Sequence, residues 1–241
     1  MSLPASYMSE AGLACAASTW TFIAGSAHRA LRPHSSGTGT PKVLRHVTPN
    51  LSIEVKPLSP GRLADFMAFF EGEAFSDNSK WSSCYCQCFY EDHSKVCWPE
   101  RTGAANRECA SRRISQGEMQ GLLAYQAGKV VAWCNAAPRT LFHALDDEPI
   151  PTAESVGTIL CFVVAPRLRG RGIATALLEA ACQQLRDQGF RLVEANPRAN
   201  ARSDGENHFG PLSMYLAAGF TIRRSDDDGS VWVGKELSFT P

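Results

Sequence analysis

The sequence predicts a mixed α/β (α+β) domain in which a mostly antiparallel sheet is flanked by helices. Three observations predict it. After Leu51, strand-like and helix-like periodicities alternate; hairpins stand at both ends of that region; and a β-branched run, Val156 to Val164, passes through a glycine-rich turn into an amphipathic stretch. Interleaved strands and helices alone suggest a parallel sheet, but terminal hairpins make it mixed.

The elements follow in order. Ser52-Ile53-Glu54-Val55 alternates like a short strand. Ser59-Pro60 offers a serine cap and a first-turn proline, and Leu63, Phe66, Met67, Phe70 and Ala74 then recur on one helix face. A polar, Cys-rich loop spans about Ser76 to Gly103, followed by a helix over Ala104 to Gln116. Gly121–Tyr125 and Val130–Cys134 make a hairpin around Gln126–Lys129. Residues 144–155 are acidic and proline-containing, hence a loop, and Val156–Val164 suits a central strand. Gly172–Gln188 carries Ile173, Leu177, Ala181 and Leu185 on one stripe and stops at Gly189. Arg191–Ala195 is a strand, 197–209 an irregular loop, and Pro211–Ala218 a short helix ending at Gly219. Phe220–Arg223 and Val231–Lys235 close as strands around the turn Asp226–Gly229.

The chain has 241 residues, with Lys+Arg 24 and Asp+Glu 24, so the formal net charge is zero. A nucleic-acid binder would carry a basic surplus, and no nucleic acid is expected. No stretch of about 18 apolar residues is free of charge and proline, so no membrane span is expected. The charge is uneven. Residues 1–50 hold one acid, Glu10, and four bases, Arg29, Arg32, Lys42 and Arg45, leaving 23 acids and 20 bases beyond them. That leader is rich in Ala, Ser, Thr and Gly and lacks a sustained period. It reads first as a disordered extension, next as an organellar transit peptide, and last as a secretory signal, which the absence of Lys or Arg before Leu13 disfavours. The expected division is a leader over 1–50 and one domain over 51–241.

Nine cysteines, an odd number in a chain of this length, make a disulfide framework a poor expectation. Cys134, Cys161 and Cys182 lie in apolar runs and read as small core residues. Cys84, Cys86 and Cys88, with His93 and Cys97 near, invite a zinc site, and alternation on an extended segment would put the first three on one face. No second ligand pair follows, however, so no metal is expected. Packing of Trp81, Cys84 and Cys86 is the preferred account.

The segment that carries chemistry is Val164-Ala165-Pro166-Arg167-Leu168-Arg169-Gly170-Arg171-Gly172-Ile173-Ala174. A strand, a Gly-rich turn and a helix start present free amides at the positive end of a helix dipole, with Arg169 and Arg171 beside them. A diphosphate is the natural occupant. A third glycine and a Gly-Lys-Ser/Thr are both missing, so neither the dinucleotide fingerprint nor a Walker loop fits.

Arg167-x-x-Gly170-x-Gly172, preceded by Val164-x-Pro166, resembles the acyl-CoA pyrophosphate motif of the GNAT N-acetyltransferase superfamily. Tyr215-Leu216-Ala217-Ala218-Gly219-Phe220 resembles that superfamily's Tyr-x-x-x-Gly-Phe segment. The resemblance covers about residues 51–237. Cys84-Tyr85-Cys86 after Trp81, Trp133-Cys134-Asn135-Ala136-Ala137-Pro138-Arg139 and Cys161-Phe162-Val163-Val164 are similar to one subgroup with a Cys-aromatic-Cys element.

The resemblance implies a splayed central strand pair and an acetyl-CoA-dependent N-acetyltransferase, cytoplasmic and compatible with a homodimer. The acetyl group would pass directly to a primary amine of a small molecule or peptide. It implies that the backbone of Phe162, Val163 and Val164 binds the pantetheine arm. An amide near Val164 would polarise the thioester carbonyl, and Arg169, Gly170, Arg171, Gly172, Ile173 and Ala174 would hold the pyrophosphate. Tyr215 would donate to the departing thiolate. Glu194, in an otherwise apolar strand, is the first candidate base, and His208 the second. Acidic runs at Asp146–Glu148 and Asp226–Asp228 suit a cationic acceptor. Two other functions stay open: a non-catalytic acyl-CoA sensor and a metal- or redox-linked regulator built on the Cys-rich loop.

Overall fold

The computed structural model describes residues 52–146 and 153–238. The expected leader over 1–50, with its transit and secretory readings, lies outside the described residues, as do positions 147–152 of the acidic loop.

Strand β1 is Glu54–Pro57, two residues later than its alternation suggests. Helix α1, Leu63–Phe70, follows a 3-10 turn at Pro60–Arg62. Ser59 does not cap it; the Ser59 hydroxyl accepts from Arg62 Nη1 at 3.0 Å instead. Helix α2, Gly103–Gln116, is capped by Thr102, whose Oγ1 accepts from the Ala105 amide at 3.2 Å, and it ends at Gly117 with φ 74°. Strands β2, Leu122–Gln126, and β3, Lys129–Pro138, form the predicted hairpin, with Ala127 and Gly128 both at positive φ in a two-residue turn. Strand β4 is Val156–Val164, helix α3 Ile173–Asp187, and β5 Leu192–Ala195. Helix α4, Leu212–Ala217, and strands β6, Thr221–Ser225, and β7, Val231–Glu236, complete the fold.

The seven strands form one sheet in the order β1-β2-β3-β4-β5-β7-β6. Every pairing is antiparallel except β4 with β5. The sheet is therefore mixed and mostly antiparallel, as the terminal hairpins predict.

Alternation along β3 sorts the two faces. Trp133 meets Phe66 of α1 edge-on at 5.1 Å, while the next residue, Cys134, neighbours Cys182 of α3. Helix α3 buries its predicted stripe, Ile173, Leu177, Ala181 and Leu185, together with Leu178 and Cys182. Each large aliphatic side chain so buried contributes about 1.5–3 kcal/mol. Gly157 allows the close approach, since a Cβ there would lie 2.7 Å from the Leu185 methyls. No helix among the described residues is long and apolar enough to cross a membrane.

Candidate active site

The parallel pair β4–β5 is short. Val156 to Ile159 pair with Leu192 to Ala195, and there the register ends. Leu160 is the extra residue of a bulge, because Asn135 faces Cys161 while Ala136 faces Ile159. A bulge bends and twists its strand. Beyond it, Cys161 to Val164 keep β3 on one side and have no β5 partner on the other. Phe162, Val163 and Val164 thus offer backbone groups along a parted edge, as the splayed-pair expectation requires.

The chain leaving β5 returns across this edge. A 3-10 turn, Glu206–Phe209, packs against β4, and Gly210 lies against Phe162. A Cβ on Gly210 would come 3.2 Å from both Phe162 and Tyr215, and its φ is +87°. Glycine here lets α4 seat beside the parted strand.

At the other end, β4 runs through a 3-10 turn at Pro166–Leu168, anchored by buried Leu168, into Arg169-Gly170-Arg171-Gly172. Gly170 has φ +70° and Gly172, the residue before α3, φ +81°; a Cβ at either would meet nothing within 4 Å. The glycines therefore serve backbone conformation, with open space around them. The first amides of α3 have no partner within the helix and point to the positive end of its dipole. With exposed Arg171 beside them, this donor set fits a diphosphate. Arg169 departs from its expected place. Its Nη1 donates to Asp77 at 2.5 Å and to Asp204 at 2.9 Å, and its Nε donates to the Val164 carbonyl at 3.2 Å. The guanidinium beside Asp77 holds that carboxyl below its usual value of 3.8.

The three acid–base candidates have distinct surroundings. Tyr215 is fully buried, its hydroxyl donates to the Phe209 carbonyl at 2.6 Å, and burial pushes its pKa well above 10. Glu194 sits 9% exposed in β5. It accepts from Arg139 Nη1 and, at 3.1 Å, from Thr158 Oγ1, so its carboxylate is already engaged. His208 places Nδ1 2.7 Å from the Gly205 carbonyl, with Trp81 edge-on at 5.2 Å. Burial, assisted by the charge of Arg198, lowers its pKa from 6.5.

Three described members of the acidic runs have local partners. Asp226 pairs with Arg224 at 2.8 Å, Asp228 accepts from the Ser230 amide at 2.8 Å, and Asp146 lies 3.2 Å from His143. These contacts close turns.

Residues 79–203 match the acetyltransferase (GNAT) family. That span runs from the Trp81 turn through the glycine turn to the loop after β5, and is more than half the chain. This chain belongs to the GNAT acetyltransferase family. Among solved structures, an N-acetyltransferase from Staphylococcus aureus Mu50 is similar at TM-score 0.50 and 12% identity, the match covering 78% of this chain and 99% of that one. A GNAT-family acetyltransferase from Streptococcus pneumoniae has TM-score 0.49 and 16% identity, over 78% and 100% of the two chains. The PaiA N-acetyltransferase from Thermoplasma acidophilum, in complex with coenzyme A, has TM-score 0.46 and 16% identity, over 77% and 99%. At 12% identity the Staphylococcus aureus structure speaks to the fold alone. No protein of curated function matches the sequence.

Within this GNAT acyltransferase the Cys-rich loop is a packed wall rather than an extended segment. Tyr85 and Cys86 both adopt positive φ, 45° and 51°, and the Gln87 amide donates to the Cys84 carbonyl at 2.9 Å. This tight turn breaks the alternation that would have put Cys84, Cys86 and Cys88 on one face. Non-glycine residues there cost about 1–2 kcal/mol each. Buried Gln87 and Glu91, held by Arg113 at 2.6 and 2.9 Å, and the bond from Trp133 Nε1 to Cys86 Sγ at 3.2 Å secure the turn. Burial raises the Cys84 pKa to about 12, and a hydrogen bond with Cys161, added to burial, raises Cys86 well above its ordinary value, so neither is a ready thiolate. Among the described residues no three His, Cys, Asp or Glu side chains gather as a metal site.

Several participants carry no sequence signal of their own. Arg139, Thr158, Asp77 and Asp204 are ordinary polar residues until the fold brings them to Glu194 and Arg169.

Proposed function

We propose that this GNAT acetyltransferase transfers the acetyl group of acetyl-CoA directly to a primary amine of a small molecule or peptide. The observation that carries this reading is the parting of β4 from β5 at Leu160, with the parted edge leading straight into the Gly170–Gly172 turn. An extended arm can add to the edge as a further strand would, and a diphosphate can end at the helix start.

In this mechanism the backbone of Phe162, Val163 and Val164 holds the pantetheine arm. An amide near Val164 polarises the thioester carbonyl, which matters because charge develops on that oxygen during attack. Amides of Gly170, Arg171, Gly172, Ile173 and Ala174 hold the diphosphate, with Arg171 adding charge. Arg169 joins them only by leaving Asp77 and Asp204. Glu194 anchors the closed end of the β4–β5 pair through Arg139 and Thr158. Tyr215 holds the 206–209 turn through Phe209; its single hydroxyl hydrogen reaches a departing sulfur only by leaving that carbonyl, and its raised pKa then makes it a hydrogen-bond donor rather than a full proton donor.

A thiol-release assay with acetyl-CoA against a panel of small amines and peptide N-termini tests the reading. Thiol release that depends on the amine supports it. Thermal stabilisation by acetyl-CoA with no thiol release for any amine overturns it in favour of a non-catalytic sensor.

A further inference from the structure

We propose that His208 is the general base of the transfer, accepting the acceptor amine's proton on Nε2. The inference rests on the acetyl-transfer reading and names the residue that completes it.

Three features of the structure converge. The first is place. The turn carrying His208 packs against β4, and Gly210, two residues on, abuts Phe162 on the parted edge. The second is tautomer. The Gly205 carbonyl can only accept, so Nδ1, at 2.7 Å, carries the hydrogen and Nε2 keeps its lone pair. Nε2 has no hydrogen-bond partner among the described residues. The third is restraint. The ring lies edge-on to Trp81 at 5.2 Å and against Phe209 at 4.0 Å, which hold the imidazole plane in place.

The competing base lacks these properties, since Glu194 is held by Arg139 and Thr158. Burial and Arg198 keep the imidazole neutral at pH 7, and the Gly205 bond partly opposes them. The other charged groups around it are engaged elsewhere or exposed: Asp204 binds Arg169, Glu206 accepts from the Arg202 amide, and Lys80 of the Trp81 turn faces solvent.

The step balances. The amine nitrogen forms a bond to the thioester carbonyl carbon, the C–S bond breaks, and its electron pair leaves with sulfur. The nitrogen's surplus proton passes to His208 Nε2, and the imidazolium returns it to the thiolate, directly or through water. An amide and a thiol result.

The test compares wild type with His208→Gln and His208→Ala in the full chain, using an amine that gives thiol release. The expected loss in kcat for His208→Gln is about 10²- to 10⁴-fold with acetyl-CoA affinity unchanged. Added imidazole should restore part of the rate to His208→Ala. Wild-type kcat should fall on an acidic limb below pH 6.5, because the neutral imidazole is the active form, and His208→Gln should lack that limb. A His208→Gln rate equal to wild type, or the same limb in the variant, overturns the assignment and leaves the transferase reading intact. Acetyl-CoA binding without thiol release in wild type overturns the transferase reading itself.

Discussion

Arg139 and Arg169 both close on carboxylates beside β4, with 5% and 31% of their side chains exposed. Arg139 holds Glu194, whose side chain is 11% exposed, and lies 5.5 Å from the Trp232 ring. Charges taken out of water are tolerable only together, so losing one partner strands the other. Arg169 holds Asp77 and Asp204, which are 44% and 73% exposed. In that wet setting a pair contributes about 0–1 kcal/mol and can trade one anion for another at small cost. The same chemistry acts as a rivet where β4 and β5 join and as a releasable catch where they have parted. Solvent makes the difference.

The largest effect is expected at Arg139. Arg139→Ala should lower unfolding free energy by about 3–5 kcal/mol in urea titrations, because Glu194 is left buried and unpaired. A loss under about 1 kcal/mol, the range of an exposed pair, would show that the rivet is not one. Next in size is Gly172→Val. A side chain at φ +81° strains the turn by about 1–2 kcal/mol, so acetyl-CoA should bind roughly tenfold more weakly by calorimetric titration. Arg171→Ala should cost less, and equal affinities for the two variants would misplace the diphosphate site. Smallest is Asp77→Asn, which should change stability by less than about 1 kcal/mol while tightening acetyl-CoA binding a few-fold as Arg169 is freed. Unchanged affinity would mean that the catch never opens. Acid sharpens the same point. Arg169 depresses the Asp77 pKa, so the pair's contribution is complete above pH 3.8 and is lost as pH falls through the lower folded value. The acid limb of a stability–pH curve should shrink in Asp77→Asn.

Much of this architecture is legible in the amino-acid sequence because its signals are local. The stripe Ile173, Leu177, Ala181, Leu185 predicts α3 and its buried face, and all four are buried. Strand, glycine turn and helix in succession likewise announce the positive-φ turn at Gly170 and Gly172 that leads into α3. What escapes local reading is pairing across distance. Arg139 and Glu194 are 55 positions apart, and Thr158 and Glu194 are 36 apart. No periodicity relates such residues, so an isolated acid in an apolar strand gives no sign of the arginine and threonine bonded to it. The departure of Arg169 has the same origin, since Asp77 lies 92 positions before it. The Cys-rich loop misleads differently. Alternating cysteines suggest an extended strip, and only the positive φ of Tyr85 and Cys86 shows that the backbone folds back between them.

Strand β6 lies at the outer end of the sheet, and all five of its residues are exposed, Ile222 at 51%. An unpaired strand edge invites another chain to dock. Here the invitation is withdrawn by consecutive arginines, Arg223 beside Glu236 at 3.6 Å and Arg224 beside Asp226 at 2.8 Å, and by a register shift between Ile222 and Arg224. A neighbour's strand would have to bury two cations and match a broken ladder. The border of the sheet nearest the chain's end is thereby a sentry against fibre growth, a task separate from any chemistry at β4.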